Sequence, residues 1–248
     1  MNIDEVSESM PYMKDVLELY GKVKEFEHID LNYRYGTLDN DYHAYIKEDI
    51  DNVLDSFSRI FSLSPEQLVP VKEAMKSGII DFMLLPQGDT AAFATPIMSE
   101  EMLSLLYIIS RMYFRSIRAS INVDNIYWEE GRCPVCNAVP ALSVLEEEAR
   151  RRYYCSFCGT IGFYKRIGCP NCHNEDPKLI DIIYVDDTDM RIDACNQCES
   201  YFKSVDVSKT ILQNLEETDI LSLPVDIIAQ NKGYKRRSPN PVGMLNIA

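Results

Sequence analysis

Gly131-Arg132-Cys133-Pro134-Val135-Cys136 opens a run of four Cys-x-x-Cys pairs that continues through Cys155-Ser156-Phe157-Cys158, Cys169-Pro170-Asn171-Cys172 and Cys195-Asn196-Gln197-Cys198. All eight cysteines of the 248-residue chain lie in these pairs, and none precedes residue 133. Cysteines separated by two residues rarely bridge each other without strain. The start of the chain, Met1-Asn2-Ile3-Asp4-Glu5, is acidic and lacks the basic and apolar regions of an export signal. A reducing, cytoplasmic compartment with thiolate metal sites is therefore expected. Two thiols at this spacing can place both sulfurs on one ion, while the turn between them points backbone N–H groups at the sulfurs. Two such knuckles complete a tetrahedral four-thiolate site. A dithiol redox role would favour one reactive pair in a βαβ setting, and the pattern shows none.

The gaps between the pairs bear on which knuckles share an ion. Eighteen residues separate Cys136 from Cys155, 22 separate Cys172 from Cys195, and 10 separate Cys158 from Cys169. The longer gaps suit a hairpin. The most economical arrangement is sequential: Cys133, Cys136, Cys155 and Cys158 on one ion, and Cys169, Cys172, Cys195 and Cys198 on the other. An interleaved pairing, first knuckle with third and second with fourth, stays open. Sulfur-only tetrahedral ligation suits iron and zinc alike, so the cofactors expected are two metal ions, iron or zinc. His173, directly after Cys172, could replace a cysteine, but a solvent-facing place beside the site is preferred.

Short strand-like runs lie between the pairs, at Ala141 to Leu145, Arg152 to Cys155, Thr160 to Ile167, Leu179 to Val185 and Tyr201 to Val207. They read as antiparallel ribbons too thin to bury much apolar area. A four-thiolate metal site contributes about 10–16 kcal/mol to folding at neutral pH and could hold them instead.

Outward from the cysteines the character changes. Residues 1–125 carry helical stripes. Met13, Val16, Leu17, Tyr20 and Val23 form one, and Ile46, Ile50, Val53, Leu54, Phe57 and Phe61 another, on a helix starting near Asp41. Ser64-Pro65-Glu66-Gln67 is a capping-box start for a helix that should end before Gly78. Gly78 to Pro96 reads as an irregular connection. A further helix opens near Ser99, with Glu100 and Glu101 in its first turn and Met102, Leu105, Leu106, Ile109, Met112, Tyr113 and Ile117 as its stripe. Together they read as a bundle whose stripes are core. Pro224 to Asn231 reads as one more helix, with Lys232, Lys235, Arg236 and Arg237 placed to suit the dipole at its C-terminal end.

The fold class is thus α+β: an N-terminal helical domain (1–125), two rubredoxin-like or zinc-ribbon modules (126–166 and 167–210) and a C-terminal helical tail (211–248). Hydrophobic residues make up 46% and charged residues 26%, an ordinary globular balance. The net charge of −14 argues against a nucleic-acid coating protein. No apolar run reaches the roughly 18–20 residues of a membrane span, so no membrane insertion is expected. Arg150-Arg151-Arg152 and Lys165-Arg166 make a local basic cluster, best read as cross-strand ion pairs, though able to dock an acidic partner peptide. Nothing resembles a nucleophile–base pair, a phosphate loop or a His-Glu-x-x-His helix, so the chain is not expected to be an enzyme.

The cysteine run resembles a known family, the formate dehydrogenase accessory proteins (FdhE). The resemblance rests on Gly131 to Cys136, Arg152 to Cys158, Cys169 to Cys172, and Cys195 through Glu199-Ser200-Tyr201-Phe202-Lys203. The tail is similar as well, in Leu223-Pro224-Val225-Asp226-Ile227-Ile228-Ala229, Gly233-Tyr234-Lys235-Arg236 and Asn240-Pro241. It implies a cytoplasmic maturation factor, a chaperone-like protein that binds the catalytic subunit of formate dehydrogenase. It also implies that the eight cysteines are metal ligands. A homodimer is left open. The competing readings are a rubredoxin-like iron electron carrier and a zinc-ribbon adaptor for nucleic acid or protein.

Overall fold

The computed structural model describes residues 8, 10–29, 42–77, 79–80, 84–88, 99–123, 125–146, 150–206 and 214–247. Most of the stretch expected to be an irregular connection after Gly78 lies outside them. The N-terminal half is helical where the stripes predict it, in α1 (Lys14–Glu27), α2 (Tyr42–Phe61), α3 (Pro65–Ser77) and α4 (Glu100–Ser120). Ser99 caps α4 by accepting a hydrogen bond from the Met102 N–H, and the Gln67 side chain accepts one from the Ser64 N–H at the start of α3. The stripes point inward: Leu17, Tyr20, Val23 and Phe26 of α1 meet Ile50, Val53, Leu54 and Phe57 of α2 and the long apolar face of α4. Phe26 stands edge-on to Phe57 with ring centroids 4.9 Å apart.

The cysteine-rich half forms seven strands: β1 (Ile126–Tyr127), β2 (Leu142–Leu145), β3 (Arg151–Tyr154), β4 (Ile161–Phe163), β5 (Ile180–Tyr184), β6 (Met190–Cys195) and β7 (Ser200–Asp206). The ribbons are not separate. They merge into one sheet of order β1-β4-β3-β2-β7-β6-β5. Neighbouring strands of the ribbons are antiparallel except for β1, which runs parallel to β4, and β2 and β7 join the two ribbons in parallel register, from Leu142 opposite Lys203 to Leu145 opposite Asp206. Strands β1 and β6 are additions to the sequence reading. In β6, Arg191 and Asp193 alternate with Ile192 and Ala194, and the buried Asp193 hides the strand behind a charged pattern.

The expectation that ribbons lack an apolar interior needs correcting. Trp128, Val135, Ala138, Tyr153, Phe157, Tyr164 and Phe202 belong to the same buried cluster as the helices, and that cluster crosses residues 125 and 210 to take in Ile220, Leu223 and Val242. Trp128 lies so close to β4 that a Cβ on Gly162 would fall 1.9 Å from its indole nitrogen, which only glycine allows. The second ribbon rests on less, a small cluster of Ile192, Ala194, Tyr201, Val225 and Ala229. Strand β7, between β2 and β6, serves both, because neighbouring side chains face opposite ways: Tyr201 enters the small cluster and Phe202 the large one.

The tail holds two helices rather than one, α5 (Leu215–Leu221) and α6 (Leu223–Asn231). Asn214 caps α5 by accepting from the Glu216 and Glu217 N–H groups. Nor does Arg236 serve the dipole of α6. It is buried and paired with Asp219 at 2.7 Å and Asp226 at 3.0 Å, and Lys203 of β7 reaches the same two carboxylates at 2.7 and 2.6 Å. Burial would raise the Asp219 carboxyl, but Arg236 and Lys203 outweigh it and hold that group well below the usual carboxylate range.

Candidate metal centres

Each Cys-x-x-Cys pair sits in the same tight turn. The N–H four residues after the first cysteine returns to that cysteine's carbonyl: Asn137 to Cys133, Gly159 to Cys155, His173 to Cys169 and Glu199 to Cys195, at 2.8–2.9 Å. That fourth residue is left-handed every time, with φ of 59°, 86°, 61° and 56° respectively. The turn reverses the chain within two peptides and leaves both thiols on its inner side. His173 therefore has a conformational place. It is exposed, and the sulfur clusters contain cysteine alone.

The sulfurs group sequentially. Cys133, Cys136, Cys155 and Cys158 form one cluster and Cys169, Cys172, Cys195 and Cys198 the other, with all Sγ atoms of a cluster within 4.8 Å of one another. In the first, Cys133 lies 3.4 Å from Cys158, and Cys136 3.4 Å from Cys155. In the second, Cys169 lies 3.6 Å from Cys198, and Cys172 3.7 Å from Cys195. A disulfide needs about 2.05 Å. A tetrahedron with metal–sulfur bonds of about 2.3 Å has edges of about 3.8 Å. The spacing is therefore that of ligands around one ion, and the all-sulfur donor set suits a soft or borderline cation.

Electrostatics points the same way. Burial pushes the Cys136 and Cys155 thiols well up, whereas Cys158, against the same push, is held down by hydrogen bonds from Cys133, Cys136, Cys155 and Thr160. Four buried sulfurs this close cannot all carry negative charge unless a cation sits among them. Either cluster could hold one metal ion, and a four-thiolate ion is coordinatively closed.

The surroundings of the two clusters differ. The first is roofed by the helical half: Arg111 of α4, itself 1% exposed, donates to the carbonyls of Ser156 and Phe157 between Cys155 and Cys158, and Phe157 packs edge-on against Phe114. Arg111 and Arg115 also bind Glu27 of α1 and Glu216 of α5, so three helices meet over this knuckle. The second centre has polar neighbours: Ser200 lies 3.4 Å from Cys169 and 3.0 Å from Cys198, and Asn171 donates to Cys198. Sequence reasoning missed Arg111, whose position in an apolar stripe gives no sign of a partner 45 residues away.

The basic cluster is largely neutralised. Arg152 pairs with Glu146, Lys165 with Glu175, and Arg151 crosses the joint between the ribbons to reach Asp193 at 3.0 Å. Asp193 in turn accepts from Ser204, whose hydroxyl lies 2.7 Å from that of Ser143. Among the described residues Arg150 and Arg166 have no ion-pair partner. They line a cleft of about 400 Å³ together with Ile167 and Ile182, both well exposed. No described helix is long and apolar enough to cross a membrane.

Residues 167–242 match the family described as FdhE, C-terminal domain. A protein FdhE homolog of Aquifex aeolicus is 32% identical over 128 residues, half of this chain and 45% of the relative. One from Shewanella oneidensis is 29% identical over 119 residues, 46% of this chain and 39% of the relative. These alignments span less than half the length of either relative. A homolog from Haemophilus influenzae is 22% identical over 85% of this chain and 70% of its own length. The crystal structure of the FdhE protein from Pseudomonas aeruginosa shares the fold, with a TM-score of 0.60, 17% identity and coverage of 93% of this chain and 89% of that one.

Proposed function

We propose, from the match of residues 167–242 to the FdhE C-terminal domain, that the chain is a maturation factor for formate dehydrogenase, a holder of the enzyme's catalytic subunit and not itself an enzyme. The observation that carries this reading is the pair of all-cysteine clusters built into one sheet. A closed four-thiolate ion offers no position for substrate, so its chemistry is to fix shape. All eight cysteines, Cys133, Cys136, Cys155, Cys158, Cys169, Cys172, Cys195 and Cys198, are the ligands in this reading, with one iron or zinc ion in each cluster. The protein works in the cytoplasm, where thiolates persist.

The sheet then acts as a stiff platform, and its cleft beside Arg150 and Arg166 offers cations that have no ion-pair partner among the described residues, next to the exposed Ile167 and Ile182. A client segment with acidic and apolar side chains matches that surface. The test is a pull-down with the catalytic subunit of formate dehydrogenase under anaerobic conditions. Capture by the wild type, weakened at least about tenfold in Arg150→Glu/Arg166→Glu by charge reversal at the rim, supports the proposal. Capture that persists unchanged after all eight cysteines are replaced counts against the platform. A visible spectrum and metal analysis of the same preparation settle iron against zinc, and a reversible one-electron colour change would move the reading to a rubredoxin-like carrier.

A further inference from the structure

The two clusters share one knuckle geometry, yet they stand in different surroundings. In the first, Cys133, Cys136, Cys155 and Cys158 are 2%, 1%, 0% and 2% exposed, and all four belong to the main hydrophobic cluster. Its knuckle carbonyls are tied to α4 through Arg111, and Phe157 is wedged against Phe114. Opening the Cys155–Cys158 knuckle means parting it from α4, and at the Cys133–Cys136 knuckle Pro134 and Asn137 are exposed while both thiols stay buried. In the second, Cys169 and Cys195 are buried but Cys172 and Cys198 are only half-buried, and none of the four joins a hydrophobic cluster. The knuckle tips around it are open to solvent at His173, Asn196, Gln197 and Glu199.

We propose that the second centre is an exchangeable metal site, whose divalent transition-metal ion leaves and returns while the fold persists, whereas the first keeps its ion for as long as the protein is folded. An incoming acceptor can reach Cys172 and Cys198 from solvent and take over coordination one sulfur at a time. The ion departs with its 2+ charge, and the thiolates left behind take up protons from water or a replacement ion, so charge balances without an oxidant or reductant. The hydrogen bonds from Asn171 and Ser200 hold Cys198 in place during the exchange. At the first centre the same attack is blocked, because opening it costs the surrounding core. The inference rests on both clusters holding ions, and it adds a division of labour: one ion belongs to the architecture, and the other is available to an acceptor that approaches the outer end of the second ribbon.

Full-length protein loaded anaerobically with Zn²⁺ is mixed with a chromogenic zinc chelator, and metal release is followed alongside N-ethylmaleimide labelling, peptide mass mapping and circular dichroism. The surroundings of a metal site typically shift its affinity by about 10–100-fold, and one equivalent is expected to leave faster than the other by a factor of that order. Label should appear first on Cys172 and Cys198, then on Cys169 and Cys195, with the dichroism spectrum retained. Cys198→Ser should lose the fast equivalent and keep the slow one. Release of both equivalents at one rate, first labelling within Cys133 to Cys158, or loss of structure with the first equivalent would each overturn the proposal. A protein that never takes up two equivalents would instead refute the metal reading itself, and the wild-type experiment decides the matter even where Cys198→Ser fails to fold.

Discussion

At the scale of the residue, the knuckles depend on one position each, the residue after the second cysteine. An L-residue in the left-handed region pays roughly 1–2 kcal/mol, least for glycine and for short polar side chains. Here the position holds Asn137, Gly159, His173 and Glu199, so the sequence hints at it twice and conceals it twice. At Gly159 a side chain meets backbone strain first: φ is 86°, and a Cβ there would stand 3.3 Å from the Arg115 guanidinium, a tight contact with the end of a flexible side chain. Gly159→Val is therefore expected to lower stability by about 2 kcal/mol in chemical denaturation of the metal-loaded protein, from the cost of a β-branched residue at positive φ. His173→Gly should leave metal content unchanged and stability equal or slightly higher. Loss of one metal equivalent in that variant would show the imidazole to be a ligand after all.

At the scale of the element, α4 joins the two halves of the molecule. Its apolar stripe was readable from the spacing of Leu106, Ile109, Met112, Tyr113 and Ile117, and all five are buried. Arg111 was not, since a charged residue between stripe positions looks solvent-facing. In the fold it donates to Ser156 and Phe157 and contacts Glu27 and Glu216. Removing one partner of a buried ion network costs roughly 3–5 kcal/mol, because the carboxylates stay behind unpaired. Arg111→Met is thus expected to destabilise the protein by about that amount in denaturant titration, and to quicken metal loss from the first centre more than from the second. Equal stability of variant and wild type would mean that Arg115 alone satisfies the two acids. Strand β6 is the complementary case: Asp193 is a buried charge that its spacing in the chain does not announce, and its partners Arg151 and Arg191 explain why the strand tolerates it.

At the scale of the whole molecule, the tail closes the structure. Glu216 of α5 reaches back to Tyr20 and Lys24 of α1 and to Arg111 and Arg115 of α4. Burial would raise its carboxyl, but the three cations and the Tyr20 hydroxyl overcome that and hold it at about 2, against an ordinary 4.5. A carboxyl depressed on folding stabilises fully above about pH 4.5 and loses that contribution as pH falls toward 2. By linkage the contribution is on the order of 3 kcal/mol at neutral pH. The stability difference between wild type and Glu216→Gln should therefore be large at pH 7 and shrink between pH 5 and 2. A difference that stays constant across that range would remove Glu216 from the acid response.

The sequence by itself determined the helical half, whose stripes repeat at short range, and the four knuckles, because a pair of thiols two residues apart prescribes its own turn and its own ligand chemistry. It also marked most strands between them. The tertiary structure alone decided how these parts join. The parallel contact of β2 with β7, the single hydrophobic cluster running from α1 to Val242, the buried pairs of Lys203 and Arg236 with Asp219 and Asp226, and the roof of Arg111 over the first centre all bring together residues far apart in the chain. Local spacing records a residue's neighbours along the chain but carries no trace of its partners across the fold. For that reason the two centres look alike in sequence and differ only in what covers them.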